Sequence, residues 1–196
     1  MEELTFDKKT HRYKLAGVVI PSVTQIIREA GLTNLDWIDK ELLEAKADLG
    51  KKTHSATELY DKGTLDIEKL HPILKAYLNS WIKFRTDYNF IPTEIELQLF
   101  HSPYRYAGRI DRVGLLDKDL AIVEIKSGTI QKTNAIQTAG YSELYNYNKK
   151  KSKQIKRRMA VYLSPDNYKI EEHKNRDDIS VFYASLTIYN FKRGAK

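Results

Sequence analysis

The chain starts with short alternation, passes into long helical spacing and then returns to strands. Residues 4–20 (LTFDKKTHRYKLAGVVI) alternate loosely around a Gly-containing turn, which predicts a short hairpin. Pro21-Ser22 then opens a helix reaching about Ala30-Gly31, with Ser22 as its cap. Ile38, Leu42, Ala45, Leu49, Ala56 and Leu59 recur at helical spacing, so an amphipathic helix is expected from Asp36 to about Tyr60, ended by Gly63. Gly50 stands inside it, where glycine costs about 0.5–1 kcal/mol relative to alanine and so invites a packing or functional reason. A second helix fits residues 68–88, with Leu70, Ile73, Leu74, Tyr77, Leu78, Trp81 and Phe84 on its apolar side.

Pro92 marks the change to strands. EIELQLF (94–100), RYAGRIDRVGLL (105–116) and LAIVEIKS (120–127) read as consecutive strands, the last two an antiparallel hairpin around Asp117-Lys118-Asp119. The helical pattern resumes over 132–148, strands follow at 159–164 and 168–173, and a helix at about 177–192 completes the chain. No repeat, Pro/Ser-rich linker or composition shift divides it. One α/β domain over residues 1–196 is therefore expected, with a core at about 50–175 and the N-terminal hairpin and helix (1–31) added to it.

Composition narrows the chemistry. The chain has no Cys, which excludes a disulfide framework, cysteine nucleophiles, thiolate zinc sites and a cysteine-ligated iron–sulfur cluster. No stretch approaches the roughly 20 apolar residues of a membrane span, and the first residues lack the apolar core of a secretory signal, so a cytoplasmic protein with no membrane partner is expected. A net charge of +7 favours a polyanionic partner such as nucleic acid.

The informative constellation is Gly108-Arg-Ile-Asp111 followed by Glu124-Ile-Lys126. Side chains alternate along a strand, so Glu124 and Lys126 share one face while Val123 and Ile125 point to the other. Asp111 joins Glu124 on that face if the turn is even-numbered, for example with Asp117-Lys118 as its two loop residues, and leaves it if the loop has three. Two carboxylates and an ammonium suit a hard divalent cation, with Lys126 beside its bound water, and phosphodiester hydrolysis needs those parts. A cross-strand ion pair on an exposed hairpin face has the same spacing.

Gly50-x-x-x-His54 in a helix, Glu96 in a strand, Asp111, Glu124-x-Lys126 and Gln137-Thr-Ala-Gly-Tyr141 in a following helix together resemble the PD-(D/E)XK nuclease superfamily, most of all its RecB-like and phage-type exonuclease branch. The segment H-R-Y-x-L-x-G-x-x-I-P-S-V-T from His11 is similar, more weakly, to the start of phage and mitochondrial exonucleases. The resemblance implies a restriction-endonuclease-like fold, a central mixed β-sheet flanked by helices in αβββαβ order. It implies that Asp111, Glu124 and Lys126 are catalytic and that His54, Asp111, Glu124 and the Ile125 carbonyl hold Mg²⁺ or Mn²⁺. Glu96, Gln137 and Tyr141 would support the site or hold the DNA backbone, with Glu94 the alternate to Glu96 and Glu58 open as an exposed carboxylate or a support for His54.

The implied activity is metal-dependent hydrolysis of DNA, by an exonuclease working on single strands or ends in replication, recombination or repair alongside proteins of those pathways. A non-catalytic DNA-binding module of the same fold, or a structure-specific endonuclease, is the alternative. Lys149, Lys150, Lys151 and Lys153 belong to a run with seven basic residues between Lys149 and Arg158, which reads either as a solvated loop or as a phosphate contact.

Overall fold

The computed structural model describes residues 3–7, 9–33 and 39–194. Residues 4–20 fold into three antiparallel strands where one hairpin was expected: β1 (Leu4–Asp7), β2 (Arg12–Leu15) and β3 (Val18–Ile20). Two turns are needed. Asp7 makes the first by accepting from the Lys9 and Thr10 amides at 2.9 and 3.3 Å and from the Thr10 hydroxyl at 2.8 Å. Ala16 and Gly17, both at positive φ, make the second. Tyr13, Leu15 and Ile20 bury one side of this sheet against Ala107.

Helix α1 (Val23–Glu29) follows, and Ser22 caps it by accepting from the Gln25 amide. Helix α2 (Lys40–Asp61) is capped by Asp39, while the expected start at Asp36 and the apolar position Ile38 lie outside the described residues. Its buried residues are Thr53, Ala56 and Thr57, whereas Leu42 and Leu59 are exposed. The expected apolar side is corrected at Leu42 and Leu59 and holds at Leu49 and Ala56, while Ala47, Gly50, Lys51, His54 and Glu58 recur on a side that lines a cleft. Gly50 has a packing reason, because a Cβ there would stand 3.2 Å from the Ser127 hydroxyl.

Helix α3 (Pro72–Asp87) begins four residues later than expected, after a 3₁₀ turn at Ile67–Lys69. Proline lacks the N–H that a helix interior needs but fits its first position, and His71 accepts from the Ile73 amide as the cap. Tyr77, Leu78, Trp81 and Phe84 are buried as the spacing requires.

The main sheet has the order β4-β5-β6-β7-β8. Its strands are β4 (Ile91–His101), β5 (Tyr106–Leu116), β6 (Asp119–Lys126), β7 (Arg157–Ser164) and β8 (Asn167–Glu172). Neighbours are antiparallel except β6 and β7, which helix α4 (Thr133–Asn148) joins as a parallel crossover. Helix α5 (Asp178–Lys192) packs beside α4 and α1. One core, including Ile110, Ile122, Tyr141, Leu144 and Phe182, lies under α1, α4 and α5. A second, including Val123, Ile125, Val161, Trp81 and Phe84, lies under α3. This is the mixed, helix-flanked α/β sheet that the motifs implied, with a small antiparallel sheet added at the N-terminus. No helix among the described residues is long and apolar enough to cross a membrane.

Candidate metal centre and cleft

The β5–β6 turn decides where Asp111 points. Leu116 pairs with Asp119 across a two-residue loop, Asp117 adopts positive φ, and Arg112 pairs with Val123. The register therefore carries Asp111 opposite Glu124, on the cleft side. The Ile125 amide donates to Asp111 Oδ2 at 2.8 Å, while the Ile125 side chain is buried in the opposite core, so only its backbone reaches the site.

Lys126 Nζ donates to Glu124 Oε1 at 2.9 Å and to Gln137 Oε1 at 3.0 Å. Gln137 Nε2 donates to Glu124 Oε1 at 2.7 Å and to the Tyr141 hydroxyl at 3.3 Å, closing a small polar ring. Gly108 makes room for Tyr141, since a Cβ there would meet the ring at 2.7 Å. His54 reaches in from α2, its Nδ1 3.5 Å from Asp111 Oδ2. One ligand atom each from His54, Glu96 and Asp111 lies within 4.8 Å of the others.

Glu96 arrives by a strained route. It sits inside β4 opposite Asp111 but at φ +52°, and no β5 residue pairs with it, although Ile95 and Leu97 on either side are paired. A non-glycine residue held in this region costs about 1–3 kcal/mol and persists only where its surroundings impose it. Arg109 Nε at 3.0 Å and Arg112 at 3.2 Å hold its carboxylate. Glu94, by contrast, pairs with Val113 and does not line the cleft. Glu58 lines the cleft and is paired with Lys62.

The electrostatics are those of acids crowded out of water. Burial, and then the charge of Asp111, push Glu124 up to about 7. The same two causes push Glu96 up to about 7, and burial raises Asp111 as well. Desolvation takes His54 down to about 4, so the imidazole is neutral and one ring nitrogen keeps a lone pair with which to ligate. Burial alone would lower Lys126, but Glu124 and Asp111 beside it carry its pKa above the usual value and keep it an ammonium. Glu124 Oε2 is buried and has no hydrogen-bond partner. A buried carboxylate oxygen with a spare lone pair, next to Asp111 and a neutral His54, fits a hard divalent cation.

Lys149, Lys150, Lys151 and Lys153 stand elsewhere. They lie between β7 and α4, whose last residue, Asn148, donates to the Phe100 carbonyl of β4 at 2.9 Å. None of the four lysines lines the cleft. Lys149 Nζ stands 5.5 Å over the Tyr145 ring.

Two groups of residues escaped the sequence reading. Arg112, fully buried behind Asp111, bonds Asp61 Oδ2 at 2.6 Å, the Asp111 carbonyl at 2.6 Å and Thr57 at 3.2 Å. Asp61 is held further by Trp81 and Arg85. The signal was available, because strand alternation puts Arg112 on the apolar side of β5. The second group is the wall that β1, β2 and α1 build across from α2, including Phe6, His11, Arg12 and Arg28. The cleft between these walls has a volume of about 1150 Å³, above the roughly 300–1,000 Å³ of small-molecule pockets.

Comparison with known families finds that the profile of the PD-(D/E)XK nuclease superfamily matches residues 24–186. Comparison with curated proteins finds no match. Among solved structures, one titled "Crystal structure of SSO0001" aligns with 16% identity and a TM-score of 0.37, covering 74% of this chain and 73% of that one.

Proposed function

The chain belongs to the PD-(D/E)XK nuclease superfamily, and from that premise we propose that it is a metal-dependent deoxyribonuclease hydrolysing phosphodiester bonds in DNA. The observation that carries the reading is Glu124, whose Oε2 is buried without a partner while its Oε1 accepts from Lys126 and Gln137. Such an arrangement is costly for an ion pair and useful for a cation. Asp111, Glu124, His54 and the Ile125 carbonyl would hold Mg²⁺ or Mn²⁺, with Glu96 supporting from β4. The bound cation would supply a water of lowered pKa and polarise the phosphoryl oxygen.

The chain's own residues do the rest. Lys126, kept charged by Glu124, points its ammonium to the carboxylate edge where a scissile phosphate would lie and offsets the charge that develops there. Gln137 holds Glu124 and Lys126 in one orientation, and Tyr141 steadies Gln137. The Ile125 amide fixes Asp111. Arg109 ties Glu96 to the floor of the cleft.

We take residues 1–196 as one nuclease domain of the RecB-like, phage-type branch, acting in the cytoplasm as an exonuclease in replication, recombination or repair. The order of its motifs, Gly50-x-x-x-His54 to Gln137-x-x-x-Tyr141, supports that finer reading. Purified protein should degrade end-labelled linear or single-stranded DNA in Mg²⁺ or Mn²⁺, spare closed circles, and do nothing in EDTA. Cutting of circles would make it an endonuclease; binding without cutting would make it a DNA-binding module.

A further inference from the structure

The cleft extends well beyond the metal cluster, and its far part has a different chemistry. Acids gather at the cluster end, where Glu58, Glu96, Asp111 and Glu124 line it. At the other end the lining includes Arg12, Arg28 and Arg193 against one carboxylate, Glu29, which Arg193 already pairs with at 3.0 Å. Lys126 and Arg109 are likewise paired, to Glu124 and Glu96. Arg12 and Arg28 form no close ion pair among the described residues, although the charge of Arg28 acts on Glu29.

Between the two ends stands a ring. Phe6, half-buried on β1, lines the cleft with the His11 ring edge-on at 5.7 Å and Tyr13 behind it at 4.7 Å. The Arg109 guanidinium lies 5.8 Å from the Phe6 centroid, oriented by its ion pair with Glu96. The loop that carries His11 is set in advance by the Asp7–Thr10 hydrogen bonds and by positive φ at His11 itself. The result is a ledge of aromatic ring and planar cation with further cations beyond it.

We propose that the N-terminal sheet is a nucleotide subsite of the cleft: the Phe6–Arg109 ledge stacks on an unpaired base of a DNA single strand, and Arg12 and Arg28 hold the phosphates that follow. This rests on the nuclease reading for the strand's path into the metal centre. Aromatic faces and guanidinium planes stack on any base that is not already stacked, and spaced cations track a backbone. A duplex offers base edges in its grooves, not faces, so it would leave the ledge unused.

The test uses the full chain, with Ca²⁺ replacing the catalytic ion, and measures anisotropy of labelled oligo-dT, the same strand with abasic sites, and a blunt duplex. Phe6→Leu, which keeps an apolar side chain against Tyr13, should weaken oligo-dT binding about tenfold, leave the duplex unchanged and lose its effect on the abasic strand. Arg12→Gln with Arg28→Gln should lower the logarithmic salt slope by about 0.7 per arginine. Unchanged oligo-dT affinity in Phe6→Leu overturns the ledge, as does equal weakening on the abasic strand. If Phe6→Leu melts early, the arginine variant decides: an unchanged slope overturns the subsite. Wild-type protein that binds oligo-dT yet cuts no DNA in Mn²⁺ sinks the nuclease reading and leaves the subsite standing.

Discussion

Asp111 and Arg112 are consecutive residues of one strand, both buried and both charged, and they serve two clusters that meet at Glu96. On the Arg112 side the guanidinium is satisfied: it meets Asp61, Glu96, Thr57 and a carbonyl, lies 5.7 Å from the Trp81 ring, and Asp61 has two further donors. On the Asp111 side the account is left open, with Glu124 Oε2 unpartnered and acids raised by their own crowding. The same burial gives rigidity where both carboxylate oxygens and the guanidinium have partners and latent affinity for a cation where a carboxylate oxygen has none.

The largest effects should come from the open side. Asp111→Ala and Lys126→Ala should each lower DNA cleavage by at least about a thousandfold while the circular dichroism spectrum stays folded. Calorimetry should separate them, since only Asp111→Ala weakens Mn²⁺ binding; an ammonium does not ligate. Undiminished cleavage in either variant would break the assignment.

The closed side should respond in stability. Arg112→Met strands Asp61 and Glu96 and should cost about 3–5 kcal/mol in urea denaturation. Asp111→Asn should do the reverse in EDTA at pH 8, stabilising the chain by about 1–3 kcal/mol, because it removes one of the crowded charges and leaves the Ile125 amide an acceptor. Adding Mn²⁺ should reverse that ranking, since only the wild type gains binding energy. If both variants are destabilised alike in EDTA, the contrast between the clusters disappears.

Acid should pull the two kinds of buried group in opposite directions. Glu96 and Glu124, raised from 4.5 to about 7, keep protons in the folded state that the unfolded chain releases, so their contribution to stability falls as pH rises through that window. Mn²⁺ affinity should accordingly weaken below about pH 7, where these carboxylates take up protons. His54 stays neutral down to about 4, so the fall near pH 6.5 expected of an ordinary histidine ligand moves to the carboxylates.

His101 and His173 are lowered by burial, so their contribution is lost as pH falls through about 6.5, where the unfolded chain protonates first. Replacing both with Gln should remove up to about 1 kcal/mol per histidine of acid-induced loss at pH 5.5. An unaltered acid limb in thermal melts would assign that loss to other groups.

Much of this was legible before any coordinates. Strand alternation placed Glu124 with Lys126 and opposed them to Val123 and Ile125, and the αβββαβ order followed from where apolar spacing changed period. Local patterns misled where a helix serves a cleft. Of the apolar side expected of α2, Leu49 and Ala56 pack inward, yet Leu42 and Leu59 are exposed and two threonines are buried. Periodicity reports which residues share a side and is silent on what that side faces.

What the sequence by itself determined is the set of chemical groups and their alternation within each element, because both depend on residues a few positions apart. Only the tertiary structure decided the two-residue β5–β6 loop that brings Asp111 opposite Glu124, the positive φ that delivers Glu96, and the partners of Arg112. It alone set the four lysines from Lys149 to Lys153 outside the cleft and put Phe6 and His11 on the cleft wall. Those outcomes depend on register and on packing between segments as far apart as Asp61 and Arg112, where one residue of slip reverses a face and no local spacing records the result.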